Sequence, residues 1–392
     1  MMDKRLTLFI PAACGMGFFL GIELGGYQLI LLQVAQSFKL SNVMMGVLVS
    51  SQFITATAGP LLFGWVADRY GKKIILLIFM PVFMLGCFSA AFSGAVTGFV
   101  FSIFIVGMGY SICECISSSA LSDSFPGKES RYLNIMQSTF CLGAVISPQI
   151  FNRLIAAGLV TWRAVFILAG GGFVLIYPLL CLSRCKPHTQ KSINEMPGTK
   201  GKQGIISPLL FALLTAMLAY VAIETGTAFF ANVIFVTEYS NNELGAYAIS
   251  GFWLSMTVSR FIFALTKIKM RNMVLTGLAA SFLLLLLLLL IRNPWILMGI
   301  FISLGAVIGP VWPMLMGIGA SSFRERSGTI TSILYSSGGF SGAMIPVLFG
   351  WISGRAGFYG GFWILAAFSA IGFFAIWTVK EKRSEDCKGI AD

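Results

Sequence analysis

Apolar residues run along this chain in stretches of about 20, separated by short polar breaks and carrying few or no charges. That is the length an α-helix needs to cross a hydrocarbon core of ~30 Å. The period-2 alternation that builds outer-membrane barrels is absent, so the pattern predicts helices that span repeatedly. Helices are expected at 7–35, 43–66, 73–93, 97–121, 131–157, 162–183, 207–236, 244–266, 272–291, 295–320, 328–353 and 358–379. The one long polar interruption, from Arg184 to Ser207, contains Pro187, Pro197, Gly198 and Gly201 and reads as a linker. The expected fold class is an all-α membrane protein of twelve transmembrane helices in two pseudo-symmetric six-helix bundles. Its domains are 1–183, a cytoplasmic linker at 184–206, and 207–392 with a short tail.

Sliding the sequence on itself by about 200 residues supports that division. Ile22-Glu23-Leu24-Gly25 falls on Ile223-Glu224-Thr225-Gly226, at one depth of the first and seventh helices. Gly143 to Pro148 falls near Gly342 to Pro346, in the fifth and eleventh. Parallel halves of this kind are a transporter arrangement.

Composition agrees. Hydrophobic residues make up 57% of the chain and charged ones 11%, against about 25% charged in soluble domains. The net charge of +12 raises the question of a polyanion, and its distribution answers it. On the predicted topology one face receives Lys4, Arg5, Arg69, Lys72, Lys73, Lys128, Arg131, the linker, Lys267, Lys269, Arg271, Arg324, Arg326 and the tail. The other receives Lys39, Arg153, Arg163, Arg292 and Arg355. This is the positive-inside asymmetry, so the excess charge sets topology and no nucleic acid is expected. The expectation is a multi-pass protein of the cell inner membrane with both termini cytoplasmic, surrounded by lipid and monomeric. No cleavable signal peptide is expected, because the first apolar segment is too long. Six cysteines, Cys14, Cys87, Cys113, Cys115, Cys141 and Cys181, fall in predicted spans without metal or redox spacing. His188 lies in the linker. No catalytic grouping, metal site or nucleotide loop appears, so neither an enzyme nor a cofactor is expected.

Three acids stand inside predicted spans: Glu23, Glu114 and Glu224. A charge at mid-bilayer costs about 2.5–3.5 kcal/mol even on lenient scales, so such residues normally face a wet cavity. A carboxyl that gains and loses a proton between two conformations is what proton coupling requires, and these three are its candidates, Glu114 first. Polar groups at helical spacing supply a candidate binding surface. Tyr27 follows Glu23 by one turn, Asn134, Gln137 and Cys141 share a face, and Tyr220 precedes Glu224 by one turn. Trp253 and Trp312 are candidates for stacking on a substrate ring. The run Leu283 to Leu290 carries no polar group and is expected to face lipid.

The loop after the second helix reads Gly64-Trp65-Val66-Ala67-Asp68-Arg69-Tyr70-Gly71-Lys72-Lys73. This string resembles the signature of the major facilitator superfamily. Gly64 permits close helix approach, Asp68 is placed to meet the start of the eleventh helix, and Arg69 to pair with Asp123. With Arg131 and Arg260 these residues form an expected cytoplasmic gate. Within the superfamily the chain resembles the fucose:proton symporters, especially glucose/mannose-type bacterial members. The resemblance rests on the Gly-rich run ending in Glu114, on Tyr220 to Thr225, on Gly251 to Arg260, and on Gly305 to Pro313. It implies that Glu114 couples protons and contacts sugar, with Glu23 matching an acid of the fucose members. Ser259 departs from the Gly that usually precedes the arginine. The expected function is proton-coupled symport of a sugar or similar polyhydroxylated solute. The alternative is a proton-driven exporter of an amphipathic drug-like or lipid compound, and a non-transporting receptor is a third reading.

Overall fold

The computed structural model of the chain describes residues 4–125, 129–185, 207–264, 268–323 and 327–379. Every regular element among them is an α-helix: α1 (Lys4–Thr7), α2 (Phe9–Ser37), α3 (Asn42–Tyr70), α4 (Lys72–Phe92), α5 (Val96–Ser124), α6 (Glu129–Ala156), α7 (Arg163–Leu182), α8 (Pro208–Tyr239), α9 (Asn242–Ala264), α10 (Met270–Leu290), α11 (Pro294–Ile308), α12 (Val311–Ser322) and α13 (Ser327–Thr378). Local chemistry sets several starts. Ser207 and Asn293 each precede a proline and accept from the first free N–H groups, Leu210 N at 3.2 Å and Trp295 N at 3.0 Å. Cap residue and first-turn proline together satisfy or remove donors that a helix start leaves orphaned.

Among the described residues, ten segments are long and apolar enough to cross a membrane. One expected boundary differs. The helix expected at 295–320 is divided into α11 and α12 at Gly309 and Pro310. The helices expected at 328–353 and 358–379 are both present, carried by α13 as two helical runs that meet at Gly357. Gly357, at φ 72°, breaks α13 where only glycine takes that conformation cheaply.

α2 packs on α6 and α7, α4 on α5 and α7, and α3 on α5; α8 packs on α13, α9 on α11, and α10 on α11, α12 and α13. The two groups meet through α3 on α13, α6 on α9, and α2 on α8 and α9. The α2–α6 crossing is close enough that a Cβ on Gly143 would strike Phe18 O and lie 2.9 Å from Ile22 N. Ser147 Oγ there donates to Ile22 O at 2.8 Å, and Ser341 Oγ of α13 donates to Leu218 O of α8 at 2.7 Å. The same device thus ties matching helix pairs in the two groups.

Basic side chains close helix ends. Lys73 Nζ donates to Cys181 O at 2.8 Å, and Arg271 Nη2 to Ile376 O, Trp377 O and Val379 O at 3.0–3.2 Å. Cations suit these last carbonyls, where the helix dipole is negative. At the opposite end Arg163 donates to Ser93 O at 3.2 Å and Arg292 stands 3.7 Å over the Tyr359 ring. The exterior is apolar, with Leu85, Phe92, Phe101, Leu175 and Trp377 exposed, which suits a hydrocarbon solvent. The run Leu283 to Leu290 is outward on one side only. Leu283, Leu287 and Leu290 are exposed while Leu285 and Leu288 are fully buried, because a helix turns 100° per residue and one face must meet α13.

Candidate functional site

Two polar groups, one from each set of helices, lie within electrostatic reach of each other. On α5, Glu114 is half-buried and accepts a hydrogen bond from Gln137 of α6. On α8, Glu224 is also half-buried, and Tyr220, one turn earlier, donates to its Oε1 at 2.8 Å. Arg260 Nη2 of α9 donates to the same Tyr220 Oη at 3.1 Å, and Arg260 Nε donates to Gly309 O at 3.0 Å.

That carbonyl is available for a reason written in the sequence. In an unbroken helix Gly309 O would accept from residue 313, which is Pro313 and has no N–H. Pro310, by the same logic, marks the division between α11 and α12. The break therefore presents a carbonyl to the one arginine of α9.

Other residues close the group. Thr257, one turn before Arg260, hydrogen-bonds to the Cys141 thiol of α6. Tyr110 lies within electrostatic reach of Glu114, Glu23, Tyr335 and Glu224, and Tyr335 of α13 within reach of Glu114 and Glu224. Hydroxyls, an amide, two carboxyls and a guanidinium thus stand within electrostatic or hydrogen-bonding reach of one another. Such a set is able to exchange hydrogen bonds with a hydroxylated solute in place of water. Its carboxyls are also able to take up and release protons.

The expected residues divide by position. Glu114, Gln137, Tyr220 and Glu224 come together. Arg260, expected in the cytoplasmic gate, stands in this central group, because Tyr220 and the free Gly309 carbonyl hold it there. Glu23 is fully buried and accepts from Gln52 Nε2 of α3 at 3.1 and 3.3 Å. Tyr27, expected at the binding surface, is fully buried, with Phe166 and Phe229 rings 5.7 and 5.6 Å away. Trp253, expected to stack on substrate, is also buried, and its Nε1 donates to Gln28 Oε1 of α2 at 2.9 Å. Trp312 on α12 is half-buried against the core. Arg69 is exposed at the end of α3, 5.6 Å from the Tyr70 ring. The side chains of Gly64, Asp68, Asp123, Arg131 and Asn134 lie outside the described residues, as do the expected Asp68 and Arg69 gate contacts.

Sequence reasoning passed over Gln28, Gln52, Tyr110, Thr257 and Tyr335. The two glutamines carried a signal, since an amide in an apolar span needs a partner. No group of three or more His, Cys, Asp or Glu side chains suited to a metal occurs among the described residues.

Further polar contacts join the two sets of helices on the side bordered by Lys39, Arg163 and Arg292. Asn232 Nδ2 donates to Leu29 O at 2.7 Å, Gln149 Nε2 to Ser250 Oγ at 3.0 Å, and Ser250 Oγ to Val145 O at 2.7 Å. Asn242 donates to Asn152. Gly46 and Gly350 bring α3 and α13 together there, with no room for a Cβ against Pro346 O or Asn42 O.

The family model described as Major Facilitator Superfamily matches residues 13–346. The D-xylose-proton symporter has the same fold, with a TM-score of 0.78 over 97% of this chain and 99% of that one at 16% identity. A variant of the nucleoside transporter NupG gives 0.74 over 94% and 99% at 14% identity. In sequence, the multidrug transporter AQR1 of Candida glabrata is 28% identical over 198 residues, 49% of this chain and 31% of that protein. The enterobactin exporter EntS of Escherichia coli O1:K1 is 25% identical over 240 residues, 57% of this chain and 56% of that protein. The matches thus span about a third to just over half of these relatives' length.

Proposed function

The chain belongs to the Major Facilitator Superfamily, and on that footing we propose that it is a proton-coupled symporter of a sugar or similar polyhydroxylated solute. Twelve spans, counting α11 with α12 as one and α13 as two, form two six-helix halves, 1–183 and 207–392, joined by the 184–206 linker. Both termini lie in the cytoplasm at the inner membrane. The solute binds between the halves, against Gln137 and Tyr220 and within reach of Tyr110, Tyr335 and Trp312. Glu114 carries the coupling proton, with Glu224 and Glu23 as the further acids. Asp68, Arg69, Asp123 and Arg131 form the cytoplasmic gate.

The observation that carries this reading is the pairing of Glu114 and Gln137 from one half beside Tyr220, Glu224 and Arg260 from the other. A solute bridging these groups lowers the cost of bringing the halves together, and a proton on Glu114 removes a charge that would otherwise be buried on closure. Each proton charge moved inward contributes about 2.3 kcal/mol per 100 mV, roughly 50-fold accumulation.

A second reading has its own support, since the proteins matched in sequence include two named for drug transport and enterobactin export. In it the same acids exchange protons for an outgoing amphipathic compound. One experiment separates the two: uptake of labelled monosaccharides into proteoliposomes under an inward proton gradient, with a Glu114→Gln variant alongside. Symport predicts gradient-driven accumulation that Glu114→Gln abolishes. Absence of sugar accumulation, with gradient-driven efflux of a lipophilic cation, overturns symport in favour of export.

A further inference from the structure

At the end of the bundle that carries Lys39, Arg163 and Arg292, three segments of the second set of helices converge on Tyr359. The Tyr359 and Tyr239 hydroxyls lie 2.6 Å apart, and Tyr359 Oη donates to Ile291 O, just past α10, at 3.4 Å. Arg292 Cζ stands 3.7 Å from the centre of the Tyr359 ring, and Nη1 donates to Leu289 O at 2.8 Å and Ile291 O at 3.0 Å. An aromatic face and the last carbonyls of a helix both attract positive charge, so this guanidinium is held in place. Its Nε and Nη2 have no partner among the described residues. Glu238, beside Tyr239, is exposed and within electrostatic reach of Tyr359. It joins no hydrogen bond or ion pair among the described residues. A fixed cation and an acid thus border one tyrosine without pairing with each other.

The surroundings decide which solvent this pair meets. Leu283, Leu287 and Leu290 recur at i, i+4 and i+7, so one exposed apolar stripe runs along α10 and ends two residues before Arg292. Trp295, three residues after Arg292, is 63% exposed. Exposed tryptophan between an apolar exterior and a polar end marks the level of lipid headgroups. In bulk water an exposed arginine and glutamate are hydrated and need no ligand. At headgroup level their partners are phosphates and amines. A guanidinium offers paired N–H donors to phosphate oxygens, and a carboxylate accepts from an ammonium. An anionic lipid satisfies Arg292 and is repelled by Glu238; a zwitterionic one satisfies both.

We propose that Arg292 and Glu238, unpaired beside the Tyr239–Tyr359 contact, bind the headgroup of an ammonium-bearing zwitterionic phospholipid whose acyl chain lies along the α10 leucine stripe. The phosphate takes Nε and Nη2 of Arg292, and the ammonium takes Glu238. The lipid then ties the ends of α8 and α10 to the second run of α13. The site lies on the exterior, apart from the group around Glu114 and Glu224. It goes beyond the symport reading, since it holds whichever solute the chain carries.

The test is lipid retention, independent of transport. Purified full-length protein is exchanged into phosphatidylethanolamine or phosphatidylglycerol, and the lipids it keeps are counted by native mass spectrometry. The site predicts one phosphatidylethanolamine held about tenfold more tightly than phosphatidylglycerol. Arg292→Gln and Glu238→Gln each abolish that preference, while Arg153→Gln, at another exposed arginine of the same end, leaves it intact. Glu238→Gln alters an exposed side chain without a hydrogen bond, so it decides the matter even if Arg292→Gln misfolds. Equal retention of the two lipids by the parent, or a preference untouched by both variants, overturns the proposal. A preference for phosphatidylglycerol that Arg292→Gln removes and Glu238→Gln does not overturns the zwitterionic assignment. Displacement of the lipid by soluble phosphoethanolamine overturns the part given to the leucine stripe.

Discussion

Tyr220 Oη donates to Glu224 and accepts from Arg260, so one hydroxyl serves two opposite charges. Removing it in Tyr220→Phe strips a partner from each without changing the ring that fills the core. Leaving such groups unsatisfied costs about 1–3 kcal/mol, so the variant melts several degrees lower in a thermal unfolding assay. An unchanged melting temperature would mean that water replaces the hydroxyl. Much of this residue-level chemistry was legible in the sequence, because Glu23, Glu114 and Glu224 stand out in apolar runs. The rest was not. Trp253 and Tyr27 look like binding-surface aromatics on paper, but a single helix does not reveal which neighbours its faces meet. Tyr110 and Tyr335 became candidates only when helices from both ends of the chain were brought together.

At the scale of elements, proline placement decides what α9 and α12 do for each other. Pro313→Ala restores an N–H that competes with Arg260 for Gly309 O. The variant folds, and its affinity for the transported solute drops about tenfold, equivalent to 1.4 kcal/mol, as Arg260 loses its anchor. Undiminished affinity in a binding titration would exclude an anchoring role for the carbonyl. The α2–α6 crossing gives a second test. Gly143→Val forces a side chain against Phe18 O and Ile22 N, and overpacking of this kind costs about 1–3 kcal/mol. Gly171→Val, at a position where a Cβ meets nothing within 4 Å, serves as control and leaves the melting temperature near that of the parent.

For the whole molecule, the polar contacts from Gln28 to Trp253, Leu29 to Asn232 and Gln149 to Ser250 join the halves on the side of Lys39 and Arg292. Trp253→Phe keeps an aromatic ring and leaves Gln28 Oε1 buried without its donor, a cost of about 1–3 kcal/mol to this closed arrangement. The ratio of states then moves by roughly 5- to 150-fold toward the one open on that side. Spin labels at Ser41 and Gly354, near the ends of α3 and of the first part of α13, read this as a longer-distance population in pulsed resonance. A distribution identical to the parent would remove Trp253 from the closure.

The sequence by itself determined the helical, membrane-spanning class, because long uncharged apolar runs have no other stable form in lipid, where every backbone group must pair within its own segment. It also displayed the intramembrane acids, since each carries a cost that selection retains only for a reason. Tertiary structure alone decided that Glu114 and Glu224, both half-buried, stand within electrostatic reach of each other while Glu23 is fully buried, and that Arg260 belongs with the former. It likewise decided that Trp253 binds Gln28 across the halves. Those outcomes depend on which faces of distant helices meet, and periodicity along one helix does not contain that information.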